Sequence, residues 1–445
     1  MATRKAPEWN PWNGVRLSRR SILATLVALT AIGIQAAATV ENVVVRQQWP
    51  WNNKLHIDFV LSDPDGGTHD LNVVVRNGDA VVGIAANSLS GDLEAVAPGA
   101  RRIVWDPTGV PGSVLADLTA TVSVADDPGK FMILDISGGV DVASIPISFA
   151  SQPPAGGWAA DSANYTTKLV LRRIPAGAYT VGSPASEASR TERHEVLRQV
   201  SIGKDYYLAL FPTTNKQYER IAGARPSGSN SSDYAPVYKV SLAMLRGANA
   251  HLVPADGGSW PKSNYDSFFS NLNERVSLGG DLAGYQFDVP SGAQWEIACR
   301  AGTTNTWYNG LDYDTSLPDF AVRLGEIARY SSNRTTSLQT VTSRQPNPWG
   351  FYDFIGNTRE WVRDFFAVDA GVTDWRVSVG ANDGVLRWTS NANQGCGYTR
   401  GGYEWCEASD VRTAKWAYAG YGTPSGTGND EREQGFRIAC TYFAN

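Results

Sequence analysis

The sequence predicts two folded units: an all-β sandwich on the N-terminal side, then a longer part in which strands mix with a few helices. Three observations carry this. The chain has 445 residues, whereas a single compact domain seldom exceeds roughly 250. Residues 39–128 alternate apolar and polar side chains in short runs separated by turn clusters, the period-2 mark of half-buried strands. From Leu169 onward, strand-like runs are joined by segments that carry helix-start signals.

Composition narrows the function classes. With 42% hydrophobic residues and 39 Lys+Arg against 44 Asp+Glu, the chain is neither disordered nor a coiled coil. Its 15 Trp, 18 Tyr, 44 Gly and 23 Pro against 3 Met fit turn-rich exported structure better than a helical cytosolic enzyme. The net charge of −5 argues against nucleic acid. The four histidines, His56, His69, His194 and His251, lie beyond helical reach of one another, which speaks against multi-histidine zinc or iron sites.

Residues 1–38 read as an export signal. Arg16, Arg19 and Arg20 precede an apolar run from Ser21 to Ile34 that is too short to span a bilayer, and small residues follow up to Ala38. Ser18-Arg19-Arg20-Ser21-Ile22-Leu23 resembles a twin-arginine signal, with general secretion as the other route and an uncleaved anchor as the bland alternative. The expected location is exported: periplasmic, cell-surface or secreted. In such a chain Cys299, Cys396, Cys406 and Cys440 permit two disulfides in three pairings, and no C-x-x-C unit suggests zinc.

Residues 39–128 hold the sandwich strands. The runs are Val43-Val44-Val45, Leu55-His56-Ile57-Asp58-Phe59-Val60, Leu71-Asn72-Val73-Val74-Val75 and Leu118-Thr119-Ala120-Thr121-Val122-Ser123-Val124. Turns such as Asp63-Pro64-Asp65-Gly66-Gly67 separate them, as in immunoglobulin or fibronectin folds. Arg101 to Asp106 forms a late strand with Trp105 in the core. Residues 129–168 read as a connector with one strand around Phe131 to Ile136 and a Pro/Gly-rich end packed over a surface. In residues 169–445, one helix starts near Thr213 or Thr214 and runs through Tyr218 and Ile221. Another follows Pro290-Ser291-Gly292 and carries Trp295, Ile297, Ala298 and Cys299, with Ser291 as its N-cap.

A series of motifs in this C-terminal part resembles the formylglycine-generating enzyme, or sulfatase-modifying-factor, family. In order they are Ile174-Pro175-Ala176-Gly177-Ala178-Tyr179-Thr180-Val181-Gly182-Ser183, the Tyr206-Tyr207-Leu208 to Tyr218 stretch, and Pro236 to Ser241. Val289-Pro290-Ser291-Gly292-Ala293-Gln294-Trp295-Glu296 follows, then Asn347-Pro348-Trp349-Gly350-Phe351-Tyr352-Asp353-Phe354-Ile355-Gly356-Asn357-Thr358-Arg359-Glu360-Trp361, Arg400-Gly401-Gly402 and Gln434-Gly435-Phe436-Arg437. The resemblance implies a compact α+β domain related to C-type lectins. The preceding sandwich resembles a module found beside this domain in some exported bacterial proteins. Most of these residues have a structural reading: Trp295, Tyr352, Trp361 and the Gly-Phe-Arg block as core plugs, and Arg437 as a buried arginine holding carbonyls. The resemblance also implies that Cys299 pairs with Cys440, leaving Cys396 for Cys406.

The resemblance places calcium at Asp353, Gly356, Thr358 and Glu360, through two side-chain oxygens and two backbone carbonyls, as a hard cation requires. Alternatively, Asp353 and Glu360 cap turns or pair with Arg359 or Arg363. Family oxidases bind copper(I) through two cysteines five residues apart just after R-G-G, since two soft thiolates suit that ion. Here Arg400-Gly401-Gly402 leads to Cys406, but Val411 stands at the second position. Copper is therefore not expected, and Cys406 is catalytic only if the chain is an oxidase. The histidines do not supply the iron motif of the hercynine-oxygenase branch, and H-E-x-x-H, G-x-S-x-G and P-loop signatures are absent.

Between Gly402 and Gln434 the chain is dense in Tyr, Trp, Gly, Ser and Asp, the chemistry of an adaptable recognition surface. Tyr403, Trp405, Trp416, Tyr418 and Tyr421 are the candidate contacts. The reading is an exported binding module for a protein or glycan, with no nucleic acid and no membrane span after signal removal. The alternative is an oxidase that converts a sulfatase cysteine to formylglycine.

Overall fold

The computed structural model describes residues 38–48, 52–63, 68–84, 88–94, 96–108, 110–111, 117–125, 129–191, 195–228, 231–247, 267–335, 337–366, 396–420 and 434–443. Residues 1–37 of the segment read as an export signal, together with His194, His251 and Tyr421, lie outside these residues, as do the side chains of Cys396 and Tyr418.

The N-terminal part is β-rich, as its alternation predicts. Its strands are β1 (Thr39–Gln47), β2 (Leu55–Ser62), β3 (Asp70–Asn77), β4 (Ala80–Val82), β5 (Leu89–Gly91), β6 (Gly99–Trp105) and β7 (Leu118–Ala125). They form one sheet in the order β1-β2-β6-β5 and another in the order β4-β3-β7. Leu55, Ile57, Phe59 and Leu61 alternate inward along β2 and share one apolar cluster with Leu71, Val75, Ile103, Trp105 and Val122 from both sheets. Trp105 is buried, as expected.

The segment read as a connector instead enters the main sheet of the C-terminal part. That sheet is built from β8 (Phe131–Asp135), β9 (Ile147–Ala150), β10 (Lys168–Ile174), β13 (Tyr206–Ala209), β14 (Tyr285–Asp288) and β21 (Ala439–Tyr442), in the order β14-β21-β13-β10-β8-β9. Two large apolar clusters flank it. Val170 and Ile174 of β10 face one, and Leu169 and Leu171 face the other, so the strand reads as a continuous apolar run. Phe131, Met132 and Leu134 are all buried, and Trp158 packs on Phe131 at 5.1 Å between centroids. Two ion pairs tie the β-rich part to this sheet: Asp70 with Lys130, and Glu94 with Arg172.

A hairpin of β11 (Gly177–Val181) and β12 (Arg198–Ile202) leads to β13 (Tyr206–Ala209) and then α1 (Asn215–Ala222). Thr214 caps α1 through a reciprocal box with Gln217, as the sequence signals. Two short helices, α2 (Leu242–Arg246) and α3 (Phe268–Arg275), precede β14 (Tyr285–Asp288). The second expected helix is α4 (Gly292–Arg300), capped by a Ser291–Gln294 box and buried along its whole length. Helix α5 (Phe320–Ile327), like α2 and α3, was not anticipated; it buries only Phe320, Leu324 and Ile327. It runs into β15 (Ala328–Arg329), which pairs in parallel with β16 (Ile355–Gly356). The last sheet has the order β19-β18-β17-β20, from β17 (Arg359–Phe366), β18 (Cys396–Arg400), β19 (Ala417–Gly420) and β20 (Gln434–Phe436). Strand β21 (Ala439–Tyr442) closes the chain inside the six-stranded sheet. No helix among the described residues is long and apolar enough to cross a membrane.

The expected disulfides are not formed. Cys299, Cys406 and Cys440 are buried free thiols. Cys299 on α4 and Cys440 on β21 point into different apolar clusters, which keeps them from pairing. Cys406 is likewise a free thiol, with Sγ 3.8 Å from Arg359 Nη2.

Candidate ligand-binding site

The site is carried by a rigid arginine–carboxylate frame. Helix α4 projects Glu296 inward, where its carboxylate accepts from Arg400 Nη2 at 2.6 Å, Arg300 Nε at 2.8 Å and the Gly182 amide at 2.7 Å. Burial alone would raise its pKa, but the Arg300 and Arg400 charges outweigh burial and hold it at about 2. The Arg400 guanidinium lies over the rings of Trp416, at 4.2 Å, and Trp295, at 5.1 Å. Arg437 performs the same service on the other side. It donates to Glu360 at 3.0 Å and, as expected of a buried arginine, to the carbonyls of Ala209 and Tyr352. Trp295 Nε1 reaches Glu360 at 2.7 Å. Trp295 and Trp361 are core residues, and half-buried Tyr352 stacks on Phe211. After Arg400 the chain turns through Gly401 and Gly402, both at positive φ, where a Cβ on Gly401 would stand 2.5 Å from the Phe354 carbonyl oxygen.

The four positions implied for calcium line one turn. Asp353 is buried at φ 54°, and its Oδ2 accepts the Thr342 amide. Burial pushes its carboxyl up to about 7 against the Thr342 hydrogen bond and the nearby Arg437 and Arg344. The Gly356 carbonyl accepts the Thr358 amide at 2.8 Å. Both oxygens of Glu360 already accept N–H groups from Arg437, with Trp295 adding to one of them. Thus Asp353 has the freer carboxylate, and the cationic partner of Glu360 is Arg437 rather than Arg359 or Arg363. Among the described residues, no group of three or more His, Cys, Asp or Glu is arranged to hold a metal.

The segment after Gly402 divides the expected recognition aromatics. Trp416 is a correction: it is only 7% exposed, packs edge-on against Tyr398 at 5.2 Å, and lies so close to Gly292 that a Cβ there would sit 2.0 Å from its ring. The Gly292 position on α4 thus makes the slot that takes the indole into the core. Tyr418 pairs with Tyr398 across β18 and β19. Tyr403 is half-buried under the Arg359 guanidinium at 4.5 Å. Trp405 is 55% exposed, with the Arg334 guanidinium 3.4 Å above its ring.

Cys406 follows these two aromatics, its amide donating to the Tyr403 carbonyl at 2.9 Å; it is 7% exposed, and burial raises its thiol pKa. Val411, where an oxidase has its second thiolate, is fully buried, and its carbonyl accepts Trp307 Nε1 at 2.9 Å. Sequence reading missed the charged residues around Cys406. Arg329 on β15 and Glu404 are both buried, with Arg334 and Arg359 at the rim. Burial raises the Glu404 pKa while Arg329 and Arg334 lower it, which places both arginines beside it. The Ser331 amide holds the Cys406 carbonyl at 3.0 Å and fixes the loop. The only sequence signal was the spacing of Arg329, Arg334, Arg344 and Arg359 around a turn-rich stretch.

Residues 160–442 match the family model described as the sulfatase-modifying factor enzyme 1-like domain. The chain is 24% identical over 250 residues to "Chaperone protein LppX" of Paenibacillus barcinonensis, covering 52% of this chain and 83% of that protein. It is 21% identical over 302 residues to the formylglycine-generating enzyme of Mus musculus, covering 62% of this chain and 76% of that protein. Among solved structures, PvdO from Pseudomonas aeruginosa aligns with a TM-score of 0.43 and 18% identity, over 61% of this chain and 94% of that one. Treponema denticola variable protein 1 aligns with a TM-score of 0.41 and 18% identity, over 62% and 96%. With more than half of its length matched by the family model, the chain belongs to the sulfatase-modifying factor enzyme 1-like domain family.

Proposed function

We propose that this chain is an exported binding module of its family: an immunoglobulin- or fibronectin-like β unit followed by a sulfatase-modifying-factor fold that recognises a protein or glycan without chemistry. One observation carries the reading: Val411, the position of the second copper thiolate, is a fully buried valine wired into the core through Trp307. Two soft thiolates are what holds copper(I), and a single buried, protonated thiol at Cys406 does not replace them. The relative named a chaperone supports a role in engaging another protein. The test is a pair of measurements on the purified full chain: copper(I) titration with conversion of a sulfatase-motif peptide, and a screen of cell-surface proteins and glycans. Stoichiometric copper binding with peptide conversion would replace this reading by the oxidase.

Calcium at the Asp353 turn belongs to the same proposal. Asp353 and the carbonyls of Gly356 and Thr358 supply hard oxygens, while Glu360 would have to share its carboxylate between the ion and Arg437.

A further inference from the structure

We propose that the buried Nε/Nη2 edge of Arg329 is an anion seat that takes a doubly charged oxyanion such as a phosphate group carried by the ligand, with Arg359 at Cys406 and Arg334 at Trp405 as neighbouring cations on the adjoining loops. The inference rests on the binding reading above and names the chemistry of what is bound.

Arg329 is 4% exposed, yet its Nε and Nη2 have no hydrogen-bond partner. Buried polar groups in folded proteins nearly always have one, so this exception requires a cause. The two orphaned donors lie on one edge of a planar guanidinium, the geometry that meets two oxygens of a single oxyanion. Arg359 adds a second buried Nε without a partner. Its guanidinium is held over Tyr403, with Nη2 at 3.8 Å from Cys406 Sγ. Arg334 stands over Trp405 at the exposed rim.

The seat is built before any ligand arrives. Arg329 is fixed by parallel pairing with Gly356, and its carbonyl accepts the Asn357 amide at 2.9 Å. The Arg344 charge also reaches it, acting with burial to lower its pKa. Glu404 acts against Arg329 and Arg334, Asp353 faces Arg344, Asp410 lies beside Cys406, and the Glu404 Oε2 closes no hydrogen bond to Arg329. The four arginines outnumber these three carboxylates, and because Coulomb attraction grows with the ligand's charge the surplus favours a doubly charged phosphate over a singly charged carboxylate.

The experiment titrates inorganic phosphate into the full chain by calorimetry at constant ionic strength, with acetate in a parallel arm, because screening alters any surface attraction. We expect saturable one-site binding of phosphate at least tenfold tighter than of acetate. Arg329→Lys, which keeps the charge and loses the fork, should weaken phosphate at least tenfold, and Arg359→Lys should weaken it by a smaller factor. Arg46→Lys on β1 should change nothing. If Arg329→Lys melts early, Arg359→Lys alone decides. The seat is overturned by the lack of saturable phosphate binding, by undiminished binding in the folded arginine variants, or by acetate binding as tightly as phosphate. Phosphate binding together with copper-dependent peptide conversion would overturn the binding-module reading and leave the seat. A captured partner indifferent to phosphate and to Arg329→Lys would do the reverse.

Discussion

Arg400 and Glu296, 104 positions apart in the chain, meet in the core through a 2.6 Å hydrogen bond between Nη2 and Oε2. Arg400 belongs to the R-G-G motif and Glu296 to the helix motif after Pro290, so two sequence blocks that look independent form one buried pair. Arg437 and Glu360 repeat the arrangement with the Gly-Phe-Arg and Gly-Asn-x-x-Glu blocks. Removing one partner of such a pair typically costs about 3–5 kcal/mol because the other charge is left buried. Arg400→Ala should therefore lower stability by that order in urea unfolding, and a loss under about 1 kcal/mol would show that the pair does not hold the frame together.

The same pair sets an acid limit. The Glu296 carboxyl stands at about 2 in the folded protein against an ordinary value of 4.5. A depressed folded pKa gives stability that is fully present above the ordinary value and is lost as pH falls from about 4.5 toward 2. Glu296→Gln removes this titration and should be less stable at pH 7 by roughly 3 kcal/mol. Its stability should then fall less steeply between pH 4.5 and pH 2.5 than that of the parent. Parallel stability curves for the two proteins through that window would assign the acid sensitivity to other carboxylates.

Trp416 and Trp405 should behave as opposites. A large-to-small change at Trp416 opens a cavity beside Gly292 and Arg400, so Trp416→Ala should destabilise by about 3–5 kcal/mol. Trp405 is 55% exposed, so Trp405→Ala should cost under about 1 kcal/mol. If Trp405 contacts ligand, its loss should weaken binding without shifting the melting temperature. Comparable melting losses in the two variants would place Trp405 in the core as well.

The contrast shows what the sequence could and could not tell. Capping boxes at Thr214 and Ser291 are local chemistry, and α1 and α4 were legible from them. The alternation along β2 likewise announced its buried face. Whether an aromatic points in or out in a Gly-rich loop depends on a distant neighbour. Trp416 is buried because Gly292 on another element leaves a slot for it. The arginines around Cys406 were invisible for the same reason, since β15 and the R-G-G loop meet only through the fold. The connector joined the main sheet because Phe131 to Leu134 find partners in β10, a pairing that a single run of apolar residues does not reveal.

The cysteines give a chemical test of the fold. Burial pushes the Cys299 thiol up to about 12 and raises those of Cys406 and Cys440. All three should resist alkylation in the native protein, because the thiolate is the reactive form. After unfolding without reductant, Cys299, Cys406 and Cys440 should each be alkylated in full. Recovery of a Cys299–Cys440 or Cys396–Cys406 linked peptide under those conditions would contradict the separation seen in the core.

Calcium is the prediction that most directly weighs the family's chemistry against this chain's own contacts. An ion that binds only the folded state adds RT ln(1+[L]/Kd), about 2.7 kcal/mol at a hundredfold excess over Kd. Melting in millimolar calcium should therefore exceed melting in chelator, and Asp353→Ala should abolish the difference, since Asp353 has the freer carboxylate in the turn. Glu360→Gln should reduce the difference and also destabilise the chelated protein, because Arg437 would lose its carboxylate partner in the core. The two variants thus separate ion binding from framework: Asp353 reports the ion, and Glu360 reports the ion and Arg437 together. Identical melting curves with and without calcium in the parent protein would remove the ion and leave Glu360 paired with Arg437 and Asp353 held by the Thr342 amide.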